Sequence, residues 1–278
     1  MKTDPRVVFR AFDLAKYSTK LNDNPAFFKW IGYVNKYWTT YGDSLFSEDA
    51  MLVLLLKSKP EDELVAAFHS MRSVPEMKNL ADKMQTKLFM TSTSSHDAMN
   101  QVWLASRESP KEVFGILNIG KRSLKDNPMA IQWLKYIKRY RAKIGDSAFS
   151  DSEAVLFVME ATYSVQAQKF GVLLQSFKKI PDLKILAENM QTSLFRQWID
   201  VKKLTPDELG SLMVSPHGSW KTVLRLPKSD PRFQALETYT VQYAARLNEK
   251  TMTEKVKMLF ANNDPEGALA AAMKMNEA

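Results

Sequence analysis

Cysteine is absent from all 278 residues, which excludes disulfide frameworks, thiolate zinc sites and cysteine nucleophiles together. Glycine is scarce, with nine positions, so a Gly-rich loop to cradle phosphates has almost no material. The three histidines, His69, His96 and His217, stand far apart and follow no metal-ligand spacing. No apolar run approaches the length of a membrane-spanning helix, and the longest, Met51 to Leu56, has the size of a buried helix segment. The G-x-S-x-G, H-E-x-x-H and kinase signatures are also missing. Catalysis therefore has little to stand on, and neither a metal nor a cofactor is expected.

What is present is the composition of an ordinary folded protein: 45% apolar, 11% aromatic and 25% charged residues. The net charge of +8 favours acidic partners, either a protein groove or nucleic acid. Met1 is followed by K-T-D-P-R, which has neither the n-region nor the h-region of a secretory signal. The expectation is an intracellular protein or the mature part of a secreted one.

Residues 24–37 align without a gap on residues 127–140, an offset of 103. Asn24, Pro25, Trp30, Tyr33 and Tyr37 match Asn127, Pro128, Trp133, Tyr136 and Tyr140; Asp230, Pro231, Leu236, Tyr239 and Tyr243 repeat the register once more. Gly42 to Ser47 matches Gly145 to Ser150, Met84 to Phe89 matches Met190 to Phe195, and Pro5, Pro110 and Pro206 each open a short leading segment. Such a period marks an array of similar units, and arrays more often present surfaces than run chemistry. Three units are expected, 1–108, 109–204 and a partial 205–278 that lacks the last helices of its siblings. A trimmed chain or an atypical end cap would account for the third.

The periodicity is helical almost throughout. Phe27, Trp30, Ile31, Val34, Tyr37 and Trp38 share one stripe, as do Trp133, Leu134, Ile137, Tyr140 and Ile144. Proline at the first helical turn and acids beside it mark several starts, and no alternation of the strand type is sustained. The Trp/Tyr stripe reads as hydrophobic core rather than as a cation cage or base-stacking platform. Leu236 supports this reading, since leucine fills a core but stacks on no base.

Two features lie outside the core pattern. Lys135, Lys138, Arg139, Arg141 and Lys143, with Lys121 and Arg122 upstream, form the densest basic segment, on the expected solvent side of the Trp133 helix. A solvated helix face is the plain reading; a contact with an acidic partner is the functional one, for which arginine's planar fork is suited. Between Phe89 and Trp103 the first unit carries a Ser/Thr-rich insertion expected at the surface. An aromatic-x-x-aliphatic pattern at Phe114–Leu117, Trp198–Val201 and Trp220–Val223 matches loosely the peptides that autophagy receptors take as an added strand. Only Trp220 sits in loop-like sequence.

The leading proline helix, the Asn-Pro turn, the W-x-x-Y-x-x-x-Y helix and the period of roughly 100 residues resemble the LWY tandem repeats of secreted oomycete RXLR virulence effectors. That resemblance spans two full units and one partial one. It implies an all-α, elongated tandem array of helical bundles in which Trp30, Tyr33, Tyr37, Trp133, Tyr136, Tyr140, Leu236, Tyr239 and Tyr243 are structural. It also implies a non-catalytic scaffold that is secreted, translocated into plant cells and bound to host protein there. In a subset of such effectors adjacent repeats recruit the scaffold subunit of host protein phosphatase 2A and displace its regulatory subunit. The expected protein is a monomer with no membrane span. A basic helical array binding nucleic acid is the alternative, ranked behind protein binding.

Overall fold

The computed structural model describes residues 3–16, 20–119, 128–161, 164–214, 218–246 and 250–273. Among these the structure is all-α, as the periodicity predicts: sixteen α-helices with short 3-10 turns. The chain divides into two compact units, Met1–Asn118 and Ile119–Ala278.

The first unit holds α1 (Pro5–Ala11), α2 (Pro25–Tyr41), α3 (Glu48–Leu56), α4 (Glu61–Met71), α5 (Lys78–Thr91), α6 (Ser95–Ala105) and α7 (Pro110–Ile116). Its helix starts follow local chemistry. Proline at the first position has no N–H to leave unpaired, and the residue before it caps the turn. Asp4 Oδ1 accepts from the Arg6 amide at 2.7 Å, and Asn24 Oδ1 from the Ala26 amide at 2.9 Å. Ser109 and Glu112 form a reciprocal capping box on α7. Gly42 ends α2 at φ +73, and Gly145 stands at the same point of the next repeat at φ +127; both conformations favour glycine.

The core of this unit gathers around Trp30. Its ring meets Phe9 at 4.9 Å, Phe27 at 6.1 Å and Phe46 at 6.4 Å, which joins α1, α2 and the loop before α3. A buried indole N–H needs an acceptor, and Trp30 Nε1 donates to the Pro5 carbonyl at 2.9 Å. One turn on, the half-buried Tyr33 donates its hydroxyl proton to the Thr3 carbonyl at 2.6 Å. These two bonds fix α1 along α2. On the other side α5 carries α7, and Thr86 Oγ1 donates to the Ile116 carbonyl at 2.6 Å. The helix that heads the second sequence repeat is thus packed within the first compact unit.

The second unit holds α8 (Pro128–Ile144), α9 (Asp151–Ala161), α10 (Ser164–Phe177), α11 (Lys184–Asp200), α12 (Pro206–Val214), α13 (Trp220–Leu224), α14 (Pro231–Arg246), α15 (Lys250–Ala261) and α16 (Pro265–Met273). Trp133 meets Phe149 at 6.4 Å and 77°, close to the 6.4 Å and 72° of Trp30 with Phe46. The third repeat is built differently at this point. Gly210 stands where Phe9 and Phe114 stand in the other repeats, and Leu236 stands in place of tryptophan. A Cβ on Gly210 would lie 2.7 Å from Trp220 Cβ and 3.1 Å from Leu236 Cδ2. Both members of the aromatic pair are lost together, and α13 occupies the space. Tyr239 keeps its role, donating to the Leu204 carbonyl at 2.6 Å and packing edge-on to Phe195 at 5.1 Å. Helix α16 lies along α15 and reaches α12, α13 and α14, burying Ala268, Leu269 and Ala272.

Candidate protein-binding surface

Helix α8 has two faces. Trp133, Leu134, Tyr136 and Ile137 are buried, and the half-buried Tyr140 packs on Tyr136 at 6.0 Å. Lys135, Lys138, Arg139 and Lys143 are exposed on the far side, spaced by three, four and eight residues so that they share one stripe. Lys138 Nζ donates to the Asp182 carbonyl at 3.2 Å, which ties this stripe to the 3-10 turn before α11. Lys121 and Arg122 lie outside the described residues.

Arg141 does not share that face. Its Nε donates to the Phe149 carbonyl at 2.7 Å, its Nη1 pairs with Asp151 at 2.8 Å, and its side chain is 14% exposed. It fastens the end of α8 to the start of α9 and is unavailable to a partner without breaking that corner.

The insertion before Trp103 is only partly a surface loop. Thr91, Thr93 and Ser94 are exposed, but Ser95–Ala105 forms α6 against α4, with Met99, Asn100 and Trp103 buried. Trp103 Nε1 donates to Gln85 Oε1 at 2.8 Å in the core. Trp220–Val223 is likewise not extended: Ser219 caps α13 and Val223 is fully buried, so the folded segment cannot be added to a partner as a strand.

Buried ionic groups cluster at the end of α4. Arg72 pairs with Asp82 at 2.7 Å and with Glu108. Burial outweighs the Arg72 charge and holds both carboxyls above their ordinary range. Asp82 and Glu188 are equivalent by sequence, as are Arg72 and Lys178. Burial pulls Lys178 below its usual value while Glu188 opposes that shift. The same two charge types thus recur at this point of both repeats, bonded as an ion pair in the first, and such a recurring placement is scaffold. Among the described residues no three metal-ligating side chains converge, and no helix is long and apolar enough to cross a membrane.

A family model described as RXLR phytopathogen effector protein WY-domain matches residues 36–86 and again 139–192, and one described as effector PexRD54, WY-domain, matches residues 1–34 and 98–137. The two alternate along the chain in the register of the Trp30 and Trp133 helices. The RxLR effector protein PexRD18 of Phytophthora infestans is 36% identical over 276 residues, 98% of this chain and 56% of that protein. This chain belongs to the RXLR effectors with WY repeats. A second relative, RxLR effector protein 54 of the same species, is 41% identical over 163 residues, covering 57% of this chain and 43% of its own length. The chain spans about half the length of the curated relatives it matches. The crystal structure of the RXLR effector PexRD54 aligns over 89% of this chain and 90% of that one, at 21% identity and a TM-score of 0.32. In this chain the buried aromatic ladder recurs in the Trp30 and Trp133 helices as framework, and the cation stripe of α8 lies at the surface of the second.

Proposed function

We propose that the chain acts as a virulence effector, secreted by the pathogen and translocated into plant cells, where it serves as a non-catalytic scaffold that binds host protein. The observation that carries this reading is the division of α8 into a buried aromatic face and an exposed face of four cations. The core sets the presentation angle, and the stripe can change partner by surface substitution without disturbing packing. The scaffold subunit of protein phosphatase 2A is the named candidate, recruited through adjacent repeats, as the resemblance implies for a subset of such effectors.

The test is affinity capture from plant extract with the chain and with Lys135→Glu combined with Arg139→Glu. Arg141 is left in place because it holds the α8–α9 corner. The expected result is loss of the captured partner, the phosphatase scaffold among the proteins assayed, with an unchanged circular-dichroism melt. Undiminished capture by the folded double variant sinks the stripe as the contact. Retention of labelled nucleic acid in place of protein, declining steeply with salt, would instead support a nucleic-acid array.

A further inference from the structure

One surface patch of the second repeat departs from the first in chemistry while the framework beneath it is kept. Gly32, Asn35, Lys36 and Asn79 of the first repeat stand in register with Lys135, Lys138, Arg139 and Ile185 of the second. Gly32 and Asn79 are exposed, and so are Lys135 and Ile185, so the core does not call for the change.

The patch joins two helices of the second unit. Lys138 Nζ, on the cation stripe of α8, donates to the Asp182 carbonyl at 3.2 Å. The 3-10 turn Pro181–Leu183 runs directly into α11, so Asp182 and Ile185 lie one turn apart on a single helical face. Their Cβ atoms are then roughly 5–6 Å apart. Ile185 is 73% exposed, more than any other large apolar side chain among the described residues. A lone exposed isoleucine needs no explanation. This one stands beside cations that the sibling repeat lacks, and Lys135, Lys138 and Arg139 outnumber the exposed Asp182. Covering Ile185 gains apolar burial, and the cations select the sign of what covers it. Lys135 and Arg139 are four residues apart, a rise of about 6 Å along α8, which is also the interval of acids placed four apart on a helix laid beside it.

We propose that this patch docks an acidic amphipathic helix of a partner protein, its carboxylates one turn apart against Lys135 and Arg139 and an aliphatic side chain next to them covering Ile185. The proposal rests on the protein-binding reading and names the partner's chemistry. Acid alone would leave Ile185 in water, and a phosphate backbone offers it no aliphatic side chain.

The probe is the fluorescein-labelled peptide Ala-Glu-Ala-Ala-Leu-Glu-Ala-Ala-Leu-Glu-Ala-Ala-amide, titrated with the full chain at low salt and followed by anisotropy. Saturable binding is expected, and replacing both leucines by glutamine, which keeps the acids and removes the apolar cover, should weaken it about tenfold. Ile185→Ser should remove that difference between the two peptides, and Lys135→Glu should weaken both. Both residues are exposed, so the two variants should melt with the parent. The peptide comparison leaves the protein unchanged, so its result stands whether or not a variant folds. No anisotropy change at millimolar chain, or equal affinity for the two peptides, overturns the proposal. A labelled oligothymidylate bound more tightly than the leucine peptide, and indifferent to Ile185→Ser, overturns it in favour of nucleic acid. Stripe-dependent capture of host protein alongside equal peptide affinities removes the acidic helix alone; absence of capture alongside leucine-selective binding removes the host-partner reading alone.

Discussion

Trp38 and Arg141 occupy the same point of two repeats, 103 residues apart, and make the same bond with different chemistry. Trp38 Nε1 donates to the Phe46 carbonyl, and Arg141 Nε donates to the Phe149 carbonyl at 2.7 Å. Arg141 adds an ion pair to Asp151 with both partners largely covered. Arg141→Ala strips a carbonyl of its donor and leaves Asp151 without its cation, a loss of roughly 2 kcal/mol. Arg141→Trp restores the bond by the first repeat's solution, and at least half of the lost stability should return. Thermal melts and amide exchange at the start of α9 measure both. Equal destabilisation by the two substitutions would mean that the shared bond is not what holds the corner.

The third repeat accepts no Cβ where α12 meets α13. Gly210→Ala places a methyl group 2.7 Å from Trp220 Cβ and 3.2 Å from its Cα, so backbone rather than a flexible side-chain tip must move. Overpacking of this kind costs about 1–3 kcal/mol. Gly115 is also helical, but nothing lies within 4 Å of its added Cβ. Gly115→Ala is expected to stabilise by about 0.5–1 kcal/mol through the unfolded chain's lost freedom. Opposite signs in denaturant titration separate the two glycines; a neutral Gly210→Ala would show that α13 is not held by this contact.

The repeat spacing made the helices legible, because proline, cap and aromatic stripe recur together and each has a local cause. Position on the helix circumference was less legible. Arg141 lies about 80° from Trp133 around α8, at the margin of the core stripe rather than opposite it. Its charge suggested solvent, yet the aromatic Trp38 at the same place in the first repeat pointed inward. Helix α6 was hidden by the serines that begin it, although Met99 and Trp103, four apart, carried the helical signal. Pro216, Gly218 and Pro227 gave the surroundings of Trp220 the look of a loop, while Ser219 starts a five-residue helix there. The placement of Ile185 beside the α8 stripe depends on Lys138 meeting Asp182, 44 residues away, and no local pattern encodes it.

The cation stripe of α8 is expected to matter for binding and not for folding. Lys135 and Arg139 are exposed and stand on the side of α8 away from Trp133. Substitutions away from buried features change stability by less than about 0.5 kcal/mol. Lys135→Glu with Arg139→Glu should therefore melt with the parent chain while any partner held by the stripe dissociates faster as salt is raised. A melting point clearly below that of the parent would place these residues in the framework.

His69 should make the first unit sensitive to mild acid. Ser106 Oγ lies 2.7 Å from its Nε2, and its Nδ1 is buried without a hydrogen-bond partner among the described residues. Burial first, and then the Arg72 charge, hold its pKa below 6.5. The folded chain therefore resists a proton that the unfolded chain accepts near pH 6.5. Stability from neutral His69 is complete above that pH and is lost as the pH falls from there toward the depressed folded value. Asp82 and Glu108 work in the opposite sense, since carboxyls raised by burial favour the folded state as they take up protons. The comparison with His69→Gln removes their contribution, and glutamine is the residue at the equivalent Gln175. Melting points of parent and variant at a series of pH values from about 7.5 down to about 5.5 should converge or cross in favour of the variant. A constant difference across that range would show that His69 titrates alike in both states.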